Sequence, residues 1–197
     1  GYCARPYTAR SIINISGMSY GAISVPAVQA LSRGAALASC WLNTGEGGLS
    51  PYHREGGGDV MMQIGTAKYG IRDRDGHFSP QRARELGAQV CAFEIKMSQG
   101  AKPGKGGILP AGKVTEEIAA IRGIPPNVAS ISPNRHGDIA NTEQLLDFIA
   151  HLRELSGRPV GIKTALGGVQ FMDELIEAIL RRGIDSAPDF IAIDGGE

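Results

Sequence analysis

The sequence predicts an α/β fold, a (β/α)8 barrel of TIM type cut short after about six strands. Three observations predict it. Apolar runs of strand length alternate with amphipathic stretches of helical period, which means a parallel sheet with right-handed crossovers. Glycine is frequent, 28 of 197 residues, and clusters just past the apolar runs. Unusual residues then fall at six consecutive strand ends: Gly17-Met18-Ser19, Asn43 through Gly48, Gly65, Lys96 through Gly107, Lys163, and Asp194-Gly195-Gly196. A barrel builds its site along that carboxyl-terminal rim, whereas a doubly wound sheet concentrates it at one switch point. A whole barrel takes about 250 residues, so we expect one partial barrel domain over residues 1–197, with residues 1–11 as an irregular lead-in.

Each element has a local cause. Ile12–Ser16 reads as the first strand. Ser24, with Pro26 in the first turn, starts a helix whose buried stripe is Val28, Leu31 and Ala35. Cys40–Thr44 is the second strand, and the glycine-rich stretch to Asp59, which contains Pro51, reads as an ordered loop rather than a helix. Val60–Ile64 is the third strand, with Met61 and Met62 as core residues. Ser79 and Pro80 open a helix carrying Ala83, Leu86 and Val90. Ala92–Met97 is strand four. Thr115 caps a short helix with Ile118 and Ile121 inward. Asn141 and Gln144 have capping-box spacing ahead of Leu145, Ile149 and Leu152, and Gly157 closes that helix. Val160–Thr164 is strand five; a helix with Phe171, Leu175 and Ile179 on one face leads to strand six, Phe190–Asp194.

Composition narrows the function. Lys and Arg together number twenty, as do Asp and Glu, a balance that gives no electrostatic footprint for nucleic acid or an anionic membrane. No apolar run is long enough to span a bilayer and no signal peptide opens the sequence, although the chain starts at Gly1 rather than Met. Cys3, Cys40 and Cys91 are odd in number and widely spaced, which argues against a disulfide framework or a metal knuckle and fits a reducing cytoplasm. Cys40 and Cys91 read as small buried hydrophobes. The histidines His53, His77, His136 and His151 show no metal spacing, and His151 reads as a structural residue of its helix.

The chemistry centres on Phe93–Gly107. Phe93, Ile95 and Met97 alternate with Glu94, Lys96 and Ser98, so one face is apolar and the other charged. That charged face belongs either to solvent or to a barrel interior, where a lysine and a glutamate must be paired or used. Lys163, in Val-Gly-Ile-Lys-Thr, poses the same choice. Gly161 on its face would let something flat approach the backbone, which points to a cofactor. A cation beside the N1–O2 edge of a flavin would stabilise its anionic reduced form. Thr44-Gly45-Glu46-Gly47-Gly48 offers unobstructed backbone amides and one carboxylate, but no phosphate-loop signature.

The segments ISGMSYGAIS, LNTGEGGLSPYH, IGTAKYG, EIKMSQGAKPGKGGILPAGKVT, ISPNRHGDIA, GIKT and AIDGGE occur in this order. Together they resemble the FMN-binding synthase domain of the glutamate synthase family, particularly its stand-alone glutamate-synthase-like branch. The resemblance runs from about Ile12 along nearly the whole chain. It implies a β/α barrel holding FMN, in which ammonia and 2-oxoglutarate condense to 2-iminoglutarate and hydride from reduced FMN gives glutamate. By the same resemblance, Gly17, Met18 and Ser19 line the flavin, and Asn43 and Thr44 meet its ring or ribityl chain. Lys163 faces the ring, and Gly195 and Gly196 complete the cofactor set. Glu46 lies near the reacting end of the flavin and the substrate nitrogen. Lys96, Gln99 and Arg122 match positions that bind the 2-oxoglutarate carboxylates, Lys96 counting with Glu46 as catalytic.

The family's cysteine-rich segment for an iron-sulfur cluster has no counterpart here, so any cluster would be ligated outside this segment. The electron donor, ferredoxin or an NADPH-linked partner, is not fixed by these residues, nor is glutamine as nitrogen source. A related FMN oxidoreductase acting on another amino or keto acid, a flavin-free phosphate-binding barrel, and an inert fragment are the competing readings. Residues 1–197 expressed alone are expected to bind FMN poorly or not at all, because an unclosed sheet leaves edges prone to association; stoichiometric yellow protein from that piece would overturn this.

Overall fold

In the computed structural model, residues 3–98 and 106–195 are described. The elements are α1 (Val25–Leu37), β1 (Leu42–Asn43), α2 (Pro51–Arg54), β2 (Val60–Ile64), α3 (Pro80–Gly87), β3 (Ala92–Lys96), β4 (Ile108–Leu109), α4 (Glu116–Arg122), β5 (Ser130–Ile131), α5 (Thr142–Ser156), β6 (Val160–Ala165), α6 (Gln170–Arg182) and β7 (Ile191–Asp194). The main sheet has the order β1-β2-β3-β6-β7 and every pairing in it is parallel. Spatial order follows chain order without the reversal that a doubly wound sheet requires. The sheet curls as part of a β/α barrel. No helix among the described residues is long and apolar enough to cross a membrane.

The two faces of the sheet divide as the alternation demands. Met62, Ile64, Phe93, Ile95, Val160 and Ile162 pack outward against Leu86, Ile149, Leu152 and Leu175 in the principal core. The register pairs Gln63 with Glu94, Glu94 with Gly161, and Lys96 with Lys163. Those polar residues therefore share the inner face. Both lysines lie there side by side, so the interior reading of the charged strand face holds and the solvent reading does not.

Helix starts follow their caps. Ser79, Thr115 and Asn141 each accept a hydrogen bond from the backbone N–H three residues on. Gln144 reaches back to the Ala140 N–H at 2.7 Å rather than to that of Asn141. Gly157 ends α5 in the left-handed conformation, φ 69°. Ser24 stands at the start of α1 but makes no side-chain cap bond.

Four expectations are corrected. Along Ile12–Ser16 only Ile15 pairs, bridging to Leu42, while Ile12 and Ile13 are exposed. Among the described residues the run pairs on one side only. The stretch to Asp59 is not all loop: Ser50 caps α2, with His53 returning a bond to the Ser50 N–H at 3.2 Å. A histidine fills the place of the usual Glu or Gln in that box, so the ordinary signature does not reveal it. An antiparallel ribbon, β4 with β5, was not foreseen; strands of two residues fall below any readable period. Gly161 does leave room, but for the Phe190 ring, whose edge atoms lie 2.5 Å from where a Cβ would stand. With Tyr7, Trp41, Met61 and Ala92, Phe190 lines a cavity of about 450 Å³ at the amino-terminal end of the strands.

Two buried histidines tie loops together. His53 Nε2 meets the Met18 carbonyl at 2.8 Å, and His136 Nε2 meets the Lys96 carbonyl at 2.9 Å. A carbonyl only accepts, so each Nε2 carries the proton. Burial lowers the pKa of both rings. A depressed folded pKa means the unfolded chain takes up protons first, so their contribution is present above the ordinary histidine range and lost as pH falls below it.

Two outcomes follow. Gly161→Ala should destabilise the protein by about 1–3 kcal/mol through overpacking, read as a lower urea midpoint, and Phe190→Leu should recover part of it. On lowering pH from 7 to 5 the midpoint should fall, each histidine contributing at most about 1.4 kcal/mol per pH unit. That fall should shrink in His53→Gln/His136→Gln; an unchanged slope would show that neither ring is held neutral by the fold.

Candidate active site

The site lies where the inner face of the sheet reaches its carboxyl-terminal rim. Lys96, last residue of β3, extends its ammonium to Glu46 Oε2 at 2.8 Å. Glu46 rides on a single 3-10 turn, Gly45–Gly47, just after β1. Its carboxylate fits because Gly65, past the end of β2, has no side chain: a Cβ there would stand 2.5 Å from Glu46 Oε1. In the next strand Lys163 meets Asp194 Oδ1 on β7 at 2.9 Å. Two lysines adjacent in register each have a carboxylate partner, which is what a largely buried ammonium requires.

Below this layer runs a polar one. Glu94 Oε1 accepts from Asn43 Nδ2 at 2.9 Å and from Gln63 Nε2 at 2.6 Å. Asn43 Oδ1 in turn accepts from the Gly45 N–H at 2.9 Å. Thr44 is fully buried, its hydroxyl accepting from the Gln63 N–H at 3.1 Å. Gly17, Met18 and Ser19 run alongside this loop, Met18 N–H donating to the Asn43 carbonyl at 3.0 Å.

Arg122 arrives from the last turn of α4 and is 7% exposed. It donates to Ser130 Oγ at 3.0 Å and to the Tyr20 carbonyl at 3.4 Å, and lies 5.1 Å from the Tyr69 ring centroid. Its Nε–H is buried with no acceptor among the described residues. Burial lowers its pKa, while Tyr69 and Glu46 act in the opposite sense. Ser19, Glu46, Gly47, Tyr69, Arg122 and Ser132 line a small cavity of about 120 Å³. The fold thus brings Glu46 and Arg122 to one cavity, and Lys96 joins them through its ion pair with Glu46.

Of the other expected residues, Lys163 stands beside Lys96, and Asn43, Thr44 and Gly17–Ser19 form the loop layer. Gly195 borders open space, nothing lying within 4 Å of a Cβ placed on it. Gln99 and Gly196 lie outside the described residues. Sequence reasoning had no role for Gln63, Tyr69 or Ser130, and gave Asp194 a place on the rim without its pairing to Lys163. Gln63 could have been found, since a polar residue in Val60–Ile64 shares the inward phase of Glu94. Tyr69 and Ser130 left no signal, because only the tertiary path of Arg122 brings them to it.

The described residues offer a flavin a lysine on the inner face of the sheet, and in that respect they fit one. They do not fit an iron-sulfur cluster: Cys3, Cys40 and Cys91 are free thiols, and no cysteine belongs to a potential metal-binding group among the described residues.

Comparison with known proteins agrees with this geometry. Residues 3–197 match the family model described as a conserved region in glutamate synthase. The chain is 43% identical to a glutamate synthase large subunit-like protein, YerD, of Bacillus subtilis, over 99% of this chain and 37% of that protein. It is 37% identical to an archaeal-type glutamate synthase [NADPH] of Thermotoga maritima, covering 93% of the chain and 33% of the relative. It is 36% identical, with the same coverage, to an archaeal glutamate synthase [NADPH] of Archaeoglobus fulgidus. The chain spans about a third of the length of these curated relatives. With the family model matching nearly end to end, the chain belongs to the glutamate synthase family.

Proposed function

We propose that these residues form part of an FMN-dependent, glutamate-synthase-type oxidoreductase that reduces 2-iminoglutarate, formed from 2-oxoglutarate and ammonia, to glutamate. The observation that supports this most directly is the small cavity lined by both Arg122 and Glu46, the latter paired with Lys96. A dicarboxylate needs two cationic groups at fixed separation. Arg122 would grip one carboxylate, held in orientation by Ser130 and the Tyr69 ring, and Lys96 would supply a point charge to the other, with Gln99 assisting.

Glu46 would take a proton from ammonium so that the nitrogen can attack the keto carbon, and would then hold the protonated imine that accepts the hydride. Lys163, Gly17–Ser19, Asn43, Thr44, Gly195 and Gly196 would hold FMN, which when bound supplies the hydride. Asn43 and Thr44 have side-chain groups engaged inside the fold, so their part would be to shape the loop and to offer backbone groups. Catalysis would then come from orientation and charge stabilisation. The [NADPH] in two relatives' names favours an NADPH-linked electron source. Residues 1–197 would contribute one incomplete barrel domain to this enzyme, in the cytoplasm.

In the complete protein, Lys96→Ala and Arg122→Ala should each raise the KM for 2-oxoglutarate about tenfold or more, the loss expected for a charged hydrogen bond, with flavin content per chain unchanged. Wild-type KM in both variants would overturn the carboxylate-binding role. Absence of flavin absorbance from the purified wild type would overturn the cofactor assignment.

A further inference from the structure

Glu94 is the most buried carboxylate on the inner face, 3% exposed, yet neither lysine beside it is its partner among the bonds seen. Its partners are two amides. A carboxylate only accepts, so both amides must turn their NH2 groups toward it. That choice settles where their oxygens point. Asn43 Oδ1 is turned onto the Gly45 N–H, and Gln63 Oε1 stands 3.3 Å from where a Gly17 Cβ would be.

Gly45 has φ +64°, and a Cβ on it would lie 2.8 Å from the Ser19 N. The turn carrying Glu46 is therefore held in a conformation that ordinary residues avoid, against the Gly17–Ser19 segment. The bond that pins it passes through Asn43 to Glu94. Remove the negative charge and the hold on the Asn43 amide weakens; a flip there puts its NH2 group against the Gly45 N–H.

We propose that Glu94 is a positioning residue: by fixing the sense of the Asn43 and Gln63 amides, it locks the turn that presents Glu46 to Lys96. Its importance for cofactor and substrate rests on the reading above, but the locking itself is a property of the ligand-free chain. The two can be tested apart.

The experiment uses the complete protein, wild type, Glu94→Gln, Asn43→Asp, and the double variant. Glu94→Gln keeps the shape and removes the charge; Asn43→Asp sets two carboxylates together; the double variant reverses one donor and acceptor while leaving an oxygen for the Gly45 N–H. Hydrogen exchange of the peptide spanning residues 44–48 is read without ligand, alongside the FMN dissociation constant by fluorescence quenching.

Exchange should be about tenfold faster in each single variant, the scale of one lost charged hydrogen bond, and should return toward wild type in the double, with peptides from α5 unchanged. FMN affinity should follow the same pattern. Unchanged exchange in a folded Glu94→Gln, or singles that simply add in the double, would overturn the proposal. Should Glu94→Gln fail to fold, Asn43→Asp and the double variant decide by the same rescue. If the wild type binds no FMN, the functional reading fails and exchange alone decides the role of Glu94.

Discussion

Everything at the rim depends on one constraint: charge on the inner face of a parallel sheet must be answered within the protein. Water cannot solvate both faces of such a sheet, and an unmatched buried ion costs several kcal/mol. The chain answers by layers. Lys96 meets Glu46 and Lys163 meets Asp194 across different elements, while Glu94 is neutralised by amide donors. Because each partner sits on another strand or the loop after it, satisfying these charges also fixes how successive strand ends stand relative to one another. The electrostatics of the site and the closure of its scaffold are one problem.

That coupling explains how a polar interior survives beneath a conventional core. The outward face of the same strands supplies the stability, through Ile64, Phe93, Ile95, Val160 and Ile162 against α5 and its neighbours. Period-two alternation separates the two jobs residue by residue. The apolar phase pays for the fold and the polar phase is left to chemistry. At the amino-terminal end the inner face reverts to aromatic packing around Phe190 and Trp41, so charge begins at the middle of β3, with Glu94, and continues to the rim.

Much of this was legible in the sequence because the signals are local. Strand-end residues identified the rim, the phase of Lys96 put it on the face opposite Phe93 and Ile95 with solvent or interior left for the fold to decide, and caps at Ser79, Thr115 and Asn141 marked helix starts. What stayed hidden has a physical cause each time. The room at Gly161 is real, but the sequence does not say that Phe190, 29 positions on, fills it. Ile12 and Ile13 have strand chemistry without a strand partner. His53 completes a cap in a role that pattern rules reserve for other side chains. Arg122 was marked by resemblance, whereas the Ser130 and Tyr69 contacts that orient it arise only when α4 folds back over the rim.

Gly65 and Glu46 together have an evolutionary corollary. The glutamate occupies the space that any other residue at position 65 would need, so neither position can drift while its companion stays put. A lineage that shortens the acid would gain freedom at the glycine, and one that first enlarges the glycine would displace the acid from its lysine. The two sites should show sign epistasis, with the small residue persisting in descendants for as long as the carboxylate is retained.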